Sequence, residues 1–336
     1  MNTSKILLPQ AQGCTLTYPC VDSETLVREL IFTYRCNADC GNCHLPIINQ
    51  RTMPVELALD TVKESVDYAR KNGYKRLQLY LIGGEALHTF ESLKDFYDKV
   101  QGVEELNKDI TITIFIETCG RNLSDECKQW LLEKVAEKQD SRDLHLILRW
   151  DSLNNFTKDK IWQEEKINGK KYPDFWKLMT GIITLRLEKE NFTAENITTL
   201  YNNVIYINSL SKLRGVNYYF DMSSVDARKY CKLINTFILK GVNFDFFCRS
   251  IEGCSYKEGE KKNIETIDFN GNRYPCRYLS PAYHLSGVYS QDYTDFERPD
   301  SCKSCILADK CYPCPAAMAR TSTTQCLMMR HLCGQR

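Results

Sequence analysis

The chain has 336 residues and is almost neutral, with 44 basic and 43 acidic side chains, which argues against binding to nucleic acid or to an anionic membrane surface. It contains no apolar run long enough to span a membrane, and its first residues lack the apolar stretch of a signal peptide, so we expect a cytoplasmic protein. Its 17 cysteines then indicate metal binding or catalysis, because disulfides are rare in a reducing cytoplasm.

The first two thirds of the chain alternate between strand-like and helix-like segments. Apolar and β-branched runs predict strands over residues 29–34, 77–82, 110–116, 144–148, 203–207 and 216–220. Apolar residues at helical spacing predict helices over residues 54–72, 90–100, 125–138 and 174–187. Strands that alternate with helices in this way form a parallel sheet with right-handed crossovers, and α/β barrels place their active sites at the carboxyl edge of that sheet.

Three cysteines with the spacing C-x3-C-x2-C follow the first predicted strand: Cys36, Cys40 and Cys43. A four-iron cluster normally takes four cysteine ligands, so three thiolates in one short loop leave one iron without a protein ligand. Catalytic zinc sites keep an open position in the same way, for a substrate or cofactor. The spacing therefore indicates chemistry at the cluster rather than simple electron storage.

A second motif, Gly83-Gly84-Glu85, ends the next predicted strand. Two glycines let the backbone approach a ligand closely, because no Cβ intervenes. The Glu85 carboxylate can pair with an ammonium group in a charge-assisted hydrogen bond.

The segment with Cys36, Cys40 and Cys43, called the Cys loop below, and the Gly-Gly-Glu segment follow one another with one predicted helix between them. In this order they resemble the radical S-adenosylmethionine superfamily. The resemblance implies a partial (β/α)6 TIM barrel in which Cys36, Cys40 and Cys43 hold a [4Fe–4S] cluster. It implies that S-adenosylmethionine chelates the fourth iron and is cleaved by one electron to a 5′-deoxyadenosyl radical, which abstracts hydrogen from the substrate. It also assigns the Gly-Gly-Glu segment to the amino group of the cofactor's methionine.

Two further strand ends resemble the same family. The Glu-Thr-Cys-Gly segment at 117–120 is similar to the family's Gln-Thr-Asn-Gly, and the Leu-Arg-Trp-Asp segment at 148–151 is similar to Ile-Ser-x-Asp. The resemblance implies that Thr118 and Arg149 bind the cofactor, although Arg149 also suits a structural ion pair. Asp151 is a candidate catalytic carboxylate or a helix N-cap. Asn42 departs from the aromatic residue usual before the third cysteine.

Beyond residue 240 the cysteines become dense, and Cys302, Cys305, Cys311 and Cys314 follow as C-x2-C-x5-C-x2-C. A zinc ribbon is one interpretation, but the two pairs lie closer together than a ribbon loop usually allows. With Gly271 and the flanking cysteines, the pattern instead resembles the SPASM extension of radical S-adenosylmethionine enzymes, which carries two auxiliary [4Fe–4S] clusters. The implied ligands are Cys248, Cys254, Cys276 and Cys314 for the first cluster, and Cys302, Cys305, Cys311 and Cys333, with Cys326 as the alternative to Cys333, for the second.

The cysteines without partner spacing are expected to be small buried side chains: Cys14, Cys20, Cys127 and Cys231. The pattern as a whole divides the chain into an N-terminal extension (1–24), a radical S-adenosylmethionine barrel (25–225) and a SPASM domain (226–336).

Members of this subgroup modify peptides and proteins, so the resemblance implies a maturase that forms a thioether or carbon–carbon cross-link in a ribosomally synthesised peptide. The alternatives are an anaerobic sulfatase-maturing enzyme, which forms formylglycine, and a non-catalytic iron–sulfur or zinc protein. The implied partners are a peptide or protein substrate and an electron donor such as ferredoxin or flavodoxin. Since only 35 residues precede Cys36, a separate leader-binding protein is a further expected partner.

Overall fold

The computed structural model describes residues 23–36, 51–103, 106, 108–120, 123–136, 144–151, 179–187, 198, 202, 212–220, 264–274, 277 and 304. Its strands are β1 (Thr25–Thr33), β2 (Arg76–Gly83), β3 (Thr111–Thr118), β4 (Leu144–Asp151), β5 (Met179–Leu187), β6 (Lys212–Phe220), β7 (Ile264–Ile267) and β8 (Arg273–Tyr274). Its helices are α1 (Val55–Asn72), α2 (Phe90–Gly102) and α3 (Asp125–Ala136), and a 3₁₀ turn (Ala86–Thr89) precedes α2. None of these helices is long and apolar enough to cross a membrane.

The strands form a single sheet with the order β6-β5-β4-β3-β2-β1-β7-β8. Every neighbouring pair is parallel except β7 and β8, which are antiparallel. The first six strands are adjacent in chain order, and helices connect β1 to β2, β2 to β3 and β3 to β4. This is the winding of a partial α/β barrel, and it brings the carboxyl ends of the strands to one edge of the sheet.

Helix α1 shows why the local sequence folds as it does. Its apolar positions recur at helical spacing, and Pro54, which fixes a helix-compatible φ, stands just before it. The helix ends at Gly73, whose φ of 75° is left-handed and whose N–H contacts the carbonyl oxygens of Ala69 and Arg70. The buried face consists of Ala58, Leu59, Thr61, Val62, Ser65, Val66 and Ala69.

A row of rings crosses the inner face of the sheet at one register. Tyr80 of β2 stacks on Phe115 of β3 with their centroids 4.5 Å apart, and Phe115 stacks on His145 of β4 at 4.9 Å. Aliphatic side chains of β1, β2, β4 and β7 complete this core cluster, including Val27, Ile31, Ile82, Ile147 and Ile264. Strand β1 is buried along its whole length, as expected for a parallel strand paired on both sides.

One helix prediction is wrong. Residues 174–187 were expected to be helical, but Met179–Leu187 is strand β5, which pairs with β4 and β6. The apolar spacing of this segment suits either structure, and β-branched residues at 180 and 182–184 favour the extended form between two neighbouring strands. The strand predicted at 203–207 lies outside the described residues. The predicted strands at 29–34, 77–82, 110–116, 144–148 and 216–220 are confirmed as β1, β2, β3, β4 and β6, with shifted ends.

A hairpin from the cysteine-rich region extends this sheet. Strand β7 pairs in parallel with β1, and β8 pairs antiparallel with β7. Asp268 shapes the connection, because its Oδ1 accepts hydrogen bonds from the backbone N–H groups of Asn270 and Asn272 at 2.8 and 2.9 Å. The barrel sheet thus includes strands from both sides of the boundary predicted at residue 225.

Two glycines at helix ends allow a matched test of the backbone. A Cβ added to Gly73 or Gly102 would meet no atom within 4 Å, but only Gly73 has a left-handed φ. We therefore expect Gly73→Ala to lower the free energy of unfolding by about 1–2 kcal/mol, and Gly102→Ala to leave it unchanged or raise it by up to about 1 kcal/mol. Urea unfolding followed by circular dichroism checks both, and equal effects of the two changes would contradict the assigned helix end.

Candidate active site

The base of the Cys loop is closed by backbone hydrogen bonds on both sides of residues 37–50. The Tyr34 N–H donates to the Arg51 carbonyl oxygen at 2.8 Å, and the Met53 N–H donates to the Phe32 carbonyl oxygen at 2.7 Å. The side-chain hydroxyl of Thr33 donates to the same Arg51 oxygen at 3.2 Å. Cys36, which is half-buried, follows directly from this closed base.

The Gly-Gly-Glu segment continues the pairing of β1 with β2 beyond the ends of both strands. The Gly84 N–H donates to the Thr33 carbonyl oxygen at 2.7 Å, and the Glu85 N–H donates to the Arg35 carbonyl oxygen at 2.8 Å. These bonds hold the residue before Cys36 against the end of β2.

The glycines are required for this approach. A Cβ at Gly83 would lie 2.2 Å from the Thr33 carbonyl oxygen. A Cβ at Gly84 would lie 2.3 Å from the Arg35 carbonyl oxygen and 3.1 Å from the Cys36 Cβ. From the sequence, the glycines were expected to allow a close approach to a ligand. In the structure, the close neighbour is the backbone that leads into the Cys loop.

The Glu85 carboxylate joins two strand ends. It is 1% exposed, its Oε1 accepts from the Leu87 N–H at 3.2 Å, and its Oε2 accepts from the Cys119 N–H at 2.7 Å. Two backbone donors from different elements fix the carboxylate beside Cys119, at the end of β3. Because each carboxylate oxygen has more than one acceptor site, the group retains capacity for an additional donor.

The neighbouring strand ends carry the other predicted cofactor-binding residues. Thr118, which is buried, accepts a hydrogen bond from the Gly120 N–H at 2.9 Å, so its hydroxyl shapes the turn after β3. Thr118 is paired in register with residue 148, which places Arg149 and Asp151 just beyond it at the end of β4. The sheet thus brings these three positions to the same edge, while the side chains of Arg149 and Asp151 lie outside what the structure describes.

A buried cluster of charges, which the sequence did not predict, lies inside the barrel. Arg277 donates from Nε to Glu29 Oε1 at 2.5 Å and from Nη1 to Glu117 Oε2 at 2.8 Å. Its backbone N–H donates to Glu29 Oε2 at 3.1 Å, and the Thr266 hydroxyl donates to the same oxygen at 2.5 Å. The three charged side chains are at most 7% exposed.

A partial signal for this cluster exists in the sequence. Glu29 lies on the same face of β1 as the apolar Val27 and Ile31, and a charge at a buried strand position needs a partner. The partner is 248 residues away along the chain, so no local pattern identifies it.

The hairpin of β7 and β8 packs on the base of the Cys loop. The rings of Tyr34 and Phe269 meet edge to face with centroids 4.9 Å apart, and the Arg51 guanidinium lies 5.5 Å from the Phe269 centroid. Burial, together with the Asp268 carboxylate, raises the pKa of Tyr34 to about 12. The loop base therefore has a protonated, packed phenol beneath it at neutral pH.

Among the described cysteines, Cys36 and Cys119 are half-buried and Cys127 is buried. Burial raises the pKa of the Cys127 thiol to about 12, with a contribution from Glu85. The expectation that Cys127 is a small buried side chain is confirmed. The other predicted ligands lie outside the described residues: Cys40, Cys43, Cys248, Cys254, Cys276, Cys302, Cys305, Cys311, Cys314, Cys326 and Cys333.

Comparisons with known proteins agree with this architecture. Residues 25–136 match the sequence-family model described as a 4Fe-4S single cluster domain. Among solved structures, the chain is similar to native anSMEcpe, an anaerobic sulfatase-maturing enzyme, with bound AdoMet and a Cp18Cys peptide, at 16% identity and a TM-score of 0.58. It is also similar to a hexahistidine-tagged form of anSMEcpe with bound AdoMet, at 16% identity and a TM-score of 0.59. Each alignment covers 92% of this chain and 95% of the other.

The search of curated proteins finds no match to the sequence. At 16% identity, the likeness to anSMEcpe establishes the fold. The partial barrel predicted from the sequence is thereby confirmed, and the resemblance to radical S-adenosylmethionine enzymes is confirmed at the level of that fold.

The backbone contact at Gly84 can be tested directly. We expect Gly84→Ala to lower the free energy of unfolding by about 1–3 kcal/mol, because its Cβ overlaps the Arg35 carbonyl oxygen and forces the two segments apart. The same change should lower the iron bound at the Cys loop after anaerobic reconstitution. Gly102→Ala is the matched control, and wild-type stability and iron content in Gly84→Ala would contradict the close approach.

Proposed function

We propose that the chain is a radical S-adenosylmethionine enzyme that modifies a peptide or protein substrate. The observation that carries this proposal is the junction of the Cys36 backbone, Gly-Gly-Glu and the end of β3 at the carboxyl edge of the barrel. This edge is where α/β barrels carry out chemistry. The match of residues 25–136 to a 4Fe-4S domain supports an iron–sulfur cluster at this junction.

The residues at this edge fit such a cofactor. Cys36 begins a run of three thiolates, completed in the sequence by Cys40 and Cys43. Glu85 presents a carboxylate that accepts two backbone N–H groups, with remaining lone pairs for a cofactor ammonium. When bound, a [4Fe–4S] cluster with S-adenosylmethionine supplies a 5′-deoxyadenosyl radical that abstracts hydrogen.

The chain itself supplies position and charge. The bonds from the Gly84 and Glu85 N–H groups orient the backbone before Cys36, so the first ligand has a fixed place relative to the Gly-Gly-Glu segment. We assign Thr118 and Arg149 to the cofactor from their positions at neighbouring strand ends. Asp151, at the last position of β4, is the proposed acceptor for a substrate proton.

We assign the cysteine-rich tail to two auxiliary [4Fe–4S] clusters, with the ligands that the SPASM resemblance implies. These clusters would accept the electron that remains on the substrate after hydrogen abstraction. We assign a ferredoxin or flavodoxin as the external electron donor. We also propose that the protein is cytoplasmic. The similarity to anSMEcpe along 92% of the chain supports this assignment.

Two reactions on a peptide are consistent with this site. One is the formation of a thioether or carbon–carbon cross-link in a ribosomally synthesised peptide, with a separate protein holding the leader. The other is the oxidation of a sulfatase cysteine or serine to formylglycine. The similar structure of anSMEcpe was determined with a bound peptide, which supports a peptide substrate for either reaction.

The radical chemistry is tested with purified, anaerobically reconstituted protein. Wild type should bind about twelve irons per chain, as three four-iron clusters require, and release 5′-deoxyadenosine when reduced with dithionite in the presence of S-adenosylmethionine. Cys36→Ala should lose about four irons and all release. Cys127→Ala, which removes a buried thiol of α3 that is not among the proposed cluster ligands, should keep both.

Release of 5′-deoxyadenosine by Cys36→Ala would contradict the catalytic cluster. A wild-type iron content near four irons per chain would contradict the assignment of two auxiliary clusters, and bound zinc would support a zinc ribbon in the tail.

Mass spectrometry of two peptide classes separates the reactions. A sulfatase-derived peptide should acquire an aldehyde that reacts with a hydrazide probe if the protein forms formylglycine. A cysteine-containing precursor peptide should instead lose a pair of hydrogen atoms and resist alkylation at one thiol if the protein forms a thioether. Turnover of the sulfatase peptide alone would reject cross-linking as the activity.

A further inference from the structure

Arg277 is the residue directly after Cys276, and its guanidinium lies inside the barrel between carboxylates of β1 and β3. We propose that Arg277 is a positioning residue that holds the Cys276 segment of the tail at a fixed place relative to the Cys36 edge of the barrel. The inference rests on the proposed function, because it takes Cys276 as a ligand of an auxiliary cluster.

Both the backbone and the side chain of Arg277 are fixed on Glu29. The backbone N–H donates to Glu29 Oε2 at 3.1 Å and Nε donates to Glu29 Oε1 at 2.5 Å. Because adjacent Cα atoms are held about 3.8 Å apart by a trans peptide, fixing the N–H of Arg277 also restricts where Cys276 can lie. The contact therefore acts on the position of the cysteine as well as on the arginine.

The same carboxylate also binds the start of the hairpin. The Thr266 hydroxyl of β7 donates to Glu29 Oε2 at 2.5 Å, while β7 pairs in parallel with β1. The segment from Thr266 to Arg277 is thus attached to Glu29 at both ends. This double attachment ties Thr266 and Arg277 to the same side chain of β1.

Arg277 also contacts β3, the strand whose end carries Cys119 at the candidate site. Nη1 donates to Glu117 at 2.8 Å, and Glu117 lies two residues before Cys119 in the chain. The Cys119 N–H donates to Glu85, and the Glu85 N–H donates to the Arg35 carbonyl oxygen, next to Cys36. A continuous series of covalent and hydrogen bonds therefore joins the neighbour of Cys276 to the neighbour of Cys36.

The buried charges of Arg277, Glu29 and Glu117 favour one arrangement of the arginine side chain. A guanidinium buried between two carboxylates must keep its partners, because losing one leaves an uncompensated charge away from water. Arginine offers donors in a rigid planar fork, whereas lysine offers a single point charge on a flexible stem. Replacement by lysine should keep the charge but lose the fixed direction between Glu29 and Glu117.

The test compares Arg277→Lys and Glu117→Gln with Arg273→Gln in the full-length, anaerobically reconstituted protein. Arg273 is the matched control, because it is an exposed arginine of the same hairpin that pairs with Glu265 and Glu64. The readouts are iron content, thermal unfolding, and the electron paramagnetic resonance spectra of the reduced clusters with and without S-adenosylmethionine.

We expect Arg277→Lys to lose about four of about twelve irons, or to show a shifted signal from one auxiliary cluster. The signal that responds to S-adenosylmethionine should remain as an internal reference. Glu117→Gln should shift the same auxiliary signal to a smaller extent, and Arg273→Gln should leave iron content and spectra as in wild type.

Wild-type iron content and spectra in both Arg277→Lys and Glu117→Gln would overturn the positioning role and leave Arg277 as an ion pair of the core. If Arg277→Lys does not fold, Glu117→Gln decides, and an unchanged spectrum in that variant overturns the inference. An equal change in Arg273→Gln also overturns it, because the effect would then be general. Failure of wild type to release 5′-deoxyadenosine would instead reject the proposed function.

Discussion

The close approach of two backbones, at Gly84 and Arg35, is the constraint on which the candidate site depends. Ordinary strand pairing would end with β1 and β2, but two more hydrogen bonds carry it past both strand ends. The contact excludes any Cβ at Gly83 or Gly84, since either would overlap a carbonyl oxygen. The backbone, rather than flexible side chains, therefore fixes Arg35 and Cys36 against Gly84 and Glu85.

Buried carboxylates then add side-chain contacts between strands to the backbone pairing of the sheet. Glu85 connects the end of β2 to the end of β3 through backbone N–H donors, and Glu29 and Glu117 connect β1 and β3 through Arg277. Such groups are costly in an apolar interior unless their acceptors are satisfied, so each requires a specific arrangement of its partners. The stacked row from Tyr80 to His145 continues across the sheet from the register of Glu29 and supplies packing of rings.

Local signals in the sequence were sufficient for the parts of the fold that depend on neighbours along the chain. The end of α1 at Gly73 and the strands before Cys36 and Gly83 follow from the spacing of apolar residues and from the glycines that end these elements. Strand β5 was mistaken for a helix, because a short apolar run fits the residue spacing of a helix as well as that of a strand. Its pairing with β4 and β6 determines that it is extended. The pairing of Arg277 with Glu29 was beyond prediction, since their proximity arises only when the hairpin docks on β1.

The docking of the hairpin on β1 changes how the tail relates to the barrel. An unpaired β1 would present a row of open backbone groups, and β7 covers that edge by parallel pairing. The same hairpin brings Phe269 against Tyr34 at the base of the Cys loop and Arg277 against Glu29 in the interior. The hairpin therefore covers the edge of β1, Arg277 pairs with the buried carboxylates of the barrel, and the junction at Cys36 rests on contacts from both parts of the chain.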